Sequence, residues 1–261
     1  MSRPHPPLTS GAERREYGSG GLFGLLTPGG NPTAEPELRI LLPPDTSLLV
    51  ARLTSAEAGL RQRLAEYDAR LDEFIDSFGA ISLDALGVAC TGLSYGCSAE
   101  EEADRLRRLA SRKGYPVITA AQAVRSAAES LGLRSLALVS PYPPWLTSLC
   151  RRYWERGGWT ITAVLQLPSG SAPDHRIYEL SSQSVIDAFA GLDTAGAEGL
   201  LLAGTGMPSL RAIVEIERAR EIPVLSSNLC LAWALMRTTA AAVPGAESRL
   251  YGGWAHRLAS A

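Results

Sequence analysis

Strand-like and helix-like segments alternate through this chain in two successive rounds, and that double alternation limits the possible folds more than any other feature. From Leu22 the pattern predicts a strand (22–26), a helix (35–42), a strand (47–53), a long amphipathic helix (56–78) and a strand (85–90). A helix from Ser98 to Arg112, a strand (115–119) and a helix (120–131) close the first round. The second runs through a strand (135–139), a helix (145–156), a strand (160–167), a helix (178–190), a strand (199–203), a helix (207–220), a strand (222–225) and a helix (228–237). Equivalent points recur: Thr27-Pro28 with Ser140-Pro141, Cys90 with Gly204, and Pro116-Val117-Ile118 with Pro223-Val224-Leu225, at offsets of 113, 114 and 107.

Alternation of this kind implies parallel sheets covered by helices on both faces. The expected fold is α/β: two pseudo-symmetric, flavodoxin-like lobes, each with a four-stranded parallel sheet, facing one cleft. The expected division is a mobile tail (1–20), a first lobe (21–132), a second lobe (133–240) and a C-terminal segment (241–261). In such sheets ligands sit beyond the carboxyl ends of the strands. The loops after Leu26, Ala89, Val139 and Leu202 therefore meet around one site.

Composition removes several classes of function. A formal net charge of −2 leaves no electrostatic case for nucleic acid. The apolar runs are strand-sized, well short of the roughly 20 residues of a membrane span. Arg14-Arg15 is followed only by the short stretch Leu22 to Leu26, which is broken by Gly24, so no export signal is read and a cytoplasmic location is expected. Cys90, Cys97, Cys150 and Cys230 lack metal-type pairing, and His5, His175 and His256 are scattered, which argues against zinc and against a Ser-His-Asp triad.

The chemistry concentrates in Ala89-Cys90-Thr91-Gly92-Leu93-Ser94, whose weaker echo is Ala203-Gly204-Thr205-Gly206. A thiol at a strand's carboxyl end, followed by hydroxyls and free N–H groups, can move a proton and hold an anion. The other cleft loops add Thr27, Asn31 and Tyr142. This set suits a carboxylate and an enediolate derived from it, with Cys90 delivering the proton, and it calls for no metal or cofactor.

These residues resemble a known group. Thr27-Pro28-Gly29-Gly30-Asn31-Pro32-Thr33-Ala34-Glu35 is similar to the first-strand loop of maleate cis–trans isomerases, and Ala89 to Ser94 to their first catalytic-cysteine loop and the matching loop of arylmalonate decarboxylase. Met207-Pro208-Ser209-Leu210 and Ile222-Pro223-Val224-Leu225-Ser226-Ser227 resemble the second-half segments of the same group. Over Leu22 to about Arg237 the chain resembles the aspartate/glutamate racemase superfamily, which implies two pseudo-symmetric lobes, a small carboxylate substrate and no cofactor. The resemblance also implies anion-holding roles for Thr91 and Tyr142. Gly92 stands where the decarboxylase pattern has a serine, so part of the anion hole falls to backbone or to Ser94.

One departure carries the functional reading. Racemases and maleate isomerases of this group face two cysteines across the substrate. Here the second position is Gly204 by the internal repeat, or Ala203 if the match is anchored on Met-Pro-Ser-Leu. Arylmalonate decarboxylase works with one cysteine, placed in its second lobe, whereas this chain keeps the one in the first. The expectation is a decarboxylase of a malonate-type acid, with Cys90 protonating an enediolate from one face. A maleate- or racemase-type isomerase and a non-catalytic carboxylate binder are the alternatives, and a homo-oligomer is possible.

Plainer roles compete with these. Cys150 is expected in the core, and Cys97 packed or partly exposed. Cys230, at a helix start, is the reserve second thiol. Tyr142 could stack on Trp145, and Asn31 could serve its own turn. Asn31 or Thr33 could cap the first helix. Asp174, His175 and the run Glu100-Glu101-Glu102 are expected to be solvated.

Overall fold

Each round of the alternation builds its own sheet in the computed structural model, which describes residues 15–167, 176–194, 196–220, 222–239, 251 and 254. The first sheet contains β1 (Gly21–Pro28), β2 (Thr46–Leu53), β3 (Ala85–Val88) and β4 (Val117–Thr119). The second contains β5 (Ser135–Ser140), β6 (Thr160–Gln166), β7 (Gly199–Leu202) and β8 (Val224–Ser226). Their strand orders, β2-β1-β3-β4 and β6-β5-β7-β8, are the same path walked twice, and every pairing is parallel. The order reverses between β1 and β3 and again between β5 and β7, and a doubly wound sheet opens a crevice at such a point.

Ten helices among the described residues cover the sheets. They are α1 (Ala34–Leu41), α2 (Leu60–Ala69), α3 (Leu71–Asp76), the single turn α4 (Thr91–Ser94), α5 (Ala99–Lys113), α6 (Ala120–Ser130), α7 (Pro144–Arg156), α8 (Ser182–Phe189), α9 (Leu210–Arg220) and α10 (Ser227–Met236). The two halves share one core. All ten residues of α10 are buried, and it packs against α6, whose inward residues Ala120, Ala121, Ala123, Val124, Ala127 and Ala128 are small enough to let the backbones approach. A Cβ on Gly87 would lie 3.3 Å from Leu231 and Leu235, so α10 also lies close on β3.

Several boundaries differ from expectation for local reasons. The long helix 56–78 is two helices. Residues 54–59 stay out because Ser55 Oγ accepts a hydrogen bond from the Glu57 N–H (3.0 Å), a turn that competes with helix. Arg70, at φ −105° and ψ 12°, then breaks the chain between α2 and α3. Tyr67, Leu71, Phe74 and Ile75 still join one buried cluster, and the Tyr67 and Phe74 rings meet edge-on across the break (6.3 Å, 82°). The helix expected over 178–190 is a 3₁₀ turn (Arg176–Glu179) followed by α8, restarted by the Ser181 hydroxyl accepting from the Ser184 N–H (3.1 Å). Ser98 and Glu101 form the capping box that opens α5.

Residues 1–14 of the expected tail, His5, Asp174, His175, His256 and nearly all of 241–261 lie outside the described residues. Among the described residues no helix is long and apolar enough to cross a membrane, and no group of three or more His, Cys, Asp or Glu side chains is arranged to hold a metal ion.

Candidate active site

The loops at the carboxyl ends of β1, β3, β5 and β7 enclose a cavity of about 130 Å³, roofed by α2. Its wall includes Asn31, Cys90, Thr91, Gly92, Tyr142, Thr205 and Gly206 from the expected set. Leu60, Arg63, Leu64, Tyr67, Leu146, Ile177 and Tyr178 complete it, with Pro28, Pro141 and Pro143. At this size the site suits a small molecule, since pockets for drug-sized ligands run to roughly 300–1,000 Å³.

Cys90 stands at the N-cap of α4 with an ordinary φ of −146° and is 6 % exposed. The Gly92 and Leu93 N–H groups face its sulfur and favour the thiolate, but burial outweighs them and pushes the thiol up to about 12. Around neutral pH the sulfur therefore keeps its proton, which is the state a proton donor needs.

The Thr91 hydroxyl and the Tyr142 phenol lie 2.6 Å apart across the two halves. That bond uses one of their two hydroxyl hydrogens and leaves the other for a ligand oxygen. The Tyr142 ring packs edge-on against Tyr95 (5.9 Å, 76°), not against Trp145, over which Arg61 lies instead. Asn31 does two jobs. Its Oδ1 accepts from the Thr33 and Ala34 N–H groups (2.9 and 3.1 Å), so Asn31, not the Thr33 side chain, caps α1. Its Nδ2 donates to Thr205 Oγ1 (3.2 Å), which donates onward to the Ala89 carbonyl (2.7 Å). The floor of the cleft is thus stitched across the two halves.

Gly204 occupies the place that mirrors Cys90. Its φ is +92°, a conformation L side chains rarely adopt, and its N–H donates to Ser227 Oγ (3.0 Å). A Cβ there would sit 3.1 Å from both Pro141 Cγ and the Tyr142 hydroxyl. Gly206 is needed for a different reason: a Cβ would come within 2.6 Å of the Tyr178 ring.

Three expectations are corrected. Ser94 does not face the cavity; its hydroxyl donates to Glu102 on the far side of the turn. Thr27, in β1, points with Phe23 and Leu25 towards the shared core, where its hydroxyl is buried without a partner, and is absent from the cavity wall. Cys230 does not line the cavity either; it is fully buried in α10, and that burial drives its thiol well above the usual range. Cys150 is in the core and Cys97 half-exposed. The acidic run is also split, because Glu102 is buried.

Arg63, Tyr67 and Tyr178 were not foreseen. Arg63 is nine-tenths buried, and its Nη1 donates to the Ala58 carbonyl (2.5 Å). It lies three residues after Leu60 and four before Tyr67, on the apolar face of its helix. A cation on that face was the available signal.

The family model for arylmalonate decarboxylase matches residues 36–251. The chain belongs to the arylmalonate decarboxylase family. It is also 26% identical to a maleate isomerase from Pseudomonas putida over 251 residues (89% of this chain, 98% of that protein), and 25% identical to one from Geobacillus stearothermophilus over 247 (88% and 97%). Among solved structures it is similar to the maleate isomerase of Pseudomonas putida S16, with a TM-score of 0.78 at 23% identity (89% of this chain, 98% of that one). A liganded arylmalonate decarboxylase variant, in which one glycine is replaced by cysteine and one cysteine by serine, gives a TM-score of 0.72 at 20% identity (84% and 93%). The fold is that of the Asp/Glu racemase superfamily, and the family places this chain among its isomerase and lyase enzymes.

Proposed function

We propose that this family member decarboxylates a small malonate-type acid with Cys90 as its one proton donor. The observation that carries the reading is the asymmetry of the cleft: a buried thiol at φ −146° on one wall, and a glycine at φ +92° in the mirror position. When the bond to one carboxylate breaks, its electron pair passes into the remaining carboxylate as an enediolate, and CO2 leaves. The Cys90 S–H then protonates the carbon, and solvent water returns a proton to the thiolate. The uncommitted hydroxyl hydrogen of the Thr91–Tyr142 pair is placed to bond the developing oxyanion, which concentrates stabilisation where charge forms. Leu60, Leu64, Leu146 and Ile177 line the same cavity; a carboxylate pressed against them loses hydration that CO2 does not need.

The curated relatives support a second reading, isomerisation of a maleate-type acid, because those named above are maleate isomerases covering most of this chain. One sulfur suffices in principle: the thiolate adds to an alkene carbon, the single bond so formed rotates, and elimination expels the sulfur. That route needs Cys90 ionised, which its burial opposes.

The test is to incubate the protein with a panel of substituted malonates and with maleate, following CO2 release and fumarate formation by NMR. Release of CO2 from a malonate, lost in Cys90→Ala by about 10²–10⁴-fold while ligand binding persists, is the expected result. Fumarate without CO2 release moves the assignment to the isomerase. Turnover that is unchanged in Cys90→Ala defeats both readings.

A further inference from the structure

Beneath the Cys90 turn, on the side away from the cavity, lies a buried carboxylate that no step above uses. Glu102, in the first turn of α5, is 6 % exposed and accepts three hydroxyl hydrogen bonds. Ser94 (2.5 Å) and Thr119 (2.6 Å) donate to one oxygen, and Tyr153 (2.6 Å) donates to the other. Ser94 is the last residue of α4, Thr119 caps α6, and Tyr153 reaches across from α7 in the second half. The turn that begins at Cys90 and brings the Gly92 and Leu93 N–H groups to its sulfur is therefore anchored, at its other end, to both halves of the molecule.

The second half ties the same knot without a thiol above it. Ser209 and Asn228 donate to Glu37, which comes across from α1, and Ser209 also bonds Ser226 (2.9 Å). Thr119 matches Ser226 at the offset of 107, and Ser209 lies one residue beyond the position that the offset of 114 pairs with Ser94. Each junction buries one carboxylate, so Glu37 provides a built-in comparison for Glu102.

We propose that Glu102 and Tyr153 are positioning residues that hold the Cys90 turn, and with it the thiol and the N–H groups facing it, in register with the second half. The inference rests on reading Cys90 as the reactive group, but its test needs no substrate. The readout is the rate at which iodoacetamide alkylates Cys90 in the folded, full-length chain at pH 9, followed by peptide mass spectrometry. Tyr153→Phe removes one hydroxyl and no charge. It should slow alkylation on the order of tenfold, as loss of a supporting shell does elsewhere, because the N–H groups that favour the thiolate drift from the sulfur. Glu102→Gln should act in the same direction, and Glu37→Gln, which reaches the Cys90 turn only through Asn228 and Thr205, should have a smaller effect than either. General loosening would expose the thiol and speed the reaction, so a slower rate is not a by-product of lost stability. Rates that are unchanged or faster in Tyr153→Phe and Glu102→Gln, or slowed equally in Glu37→Gln, overturn the proposal. If alkylation behaves as expected while Cys90→Ala remains fully active, the positioning role stands and the proposed function falls.

Discussion

The turn after β3 and the turn after β7 descend from one pattern and have come to do different work. Both follow the third strand of a sheet, and both carry a threonine and a glycine after the divergent residue. In the first, Cys90 (φ −146°) opens a helical turn, and Thr91 is left with Tyr142 at the cavity. In the second, Gly204 (φ +92°) is pinned through its N–H to Ser227, and the Thr205 hydroxyl is committed to the Ala89 carbonyl. One turn presents a thiol to the cavity and the other braces it. The glycine at the second position is matched by its backbone, which has a shape in which a side chain at residue 204 is strained.

That difference can be broken directly. Gly204→Cys restores the side chain of a two-thiol cleft, yet φ +92° and the 3.1 Å approaches to Pro141 and Tyr142 oppose it. It should cost about 1–3 kcal/mol in urea unfolding and create no second proton donor. A Gly204→Cys protein as stable as the parent would show that the bracing turn is free to change.

A finer test uses alkaline pH. The folded Cys90 thiol is raised from an ordinary value near 9 to about 12, chiefly by burial. A raised acid contributes stability that is complete below its unfolded value and lost as pH rises towards the folded one. Between pH 7 and pH 10 the parent should therefore lose about 1 kcal/mol more than Cys90→Ala does, by urea midpoints. The alkaline limb of turnover should likewise lie above that of a free thiol. Equal losses in the two proteins would mean the sulfur is not desolvated.

Most of the architecture was legible because both rounds repeat the same signals. Short apolar strands, the helix start at Ser98 and paired offsets gave two four-stranded parallel sheets facing one cleft. The helix break at Arg70 was not legible, since its side chain bonds Glu66 and Glu73 as a continuing helix surface would. Cys90, Thr91 and Tyr142 reach the cavity as their loops suggested. Ser94 and Thr27 do not, because a loop's position does not fix which way a hydroxyl points. Glu102 misled for a related reason: its neighbours Glu100 and Glu101 do sit at a solvated helix start, and only the third carboxylate turns inward to meet Tyr153 from the other half. Tertiary partners decided these cases, and nothing within a few residues encodes them.

The central claim is that protonation comes from one face, and stereochemistry measures a face. A prochiral malonate turned over in D2O should give product carrying one deuterium at the new C–H, in a single configuration. Racemic product from the enzyme would require a second donor across the cleft and would contradict the account.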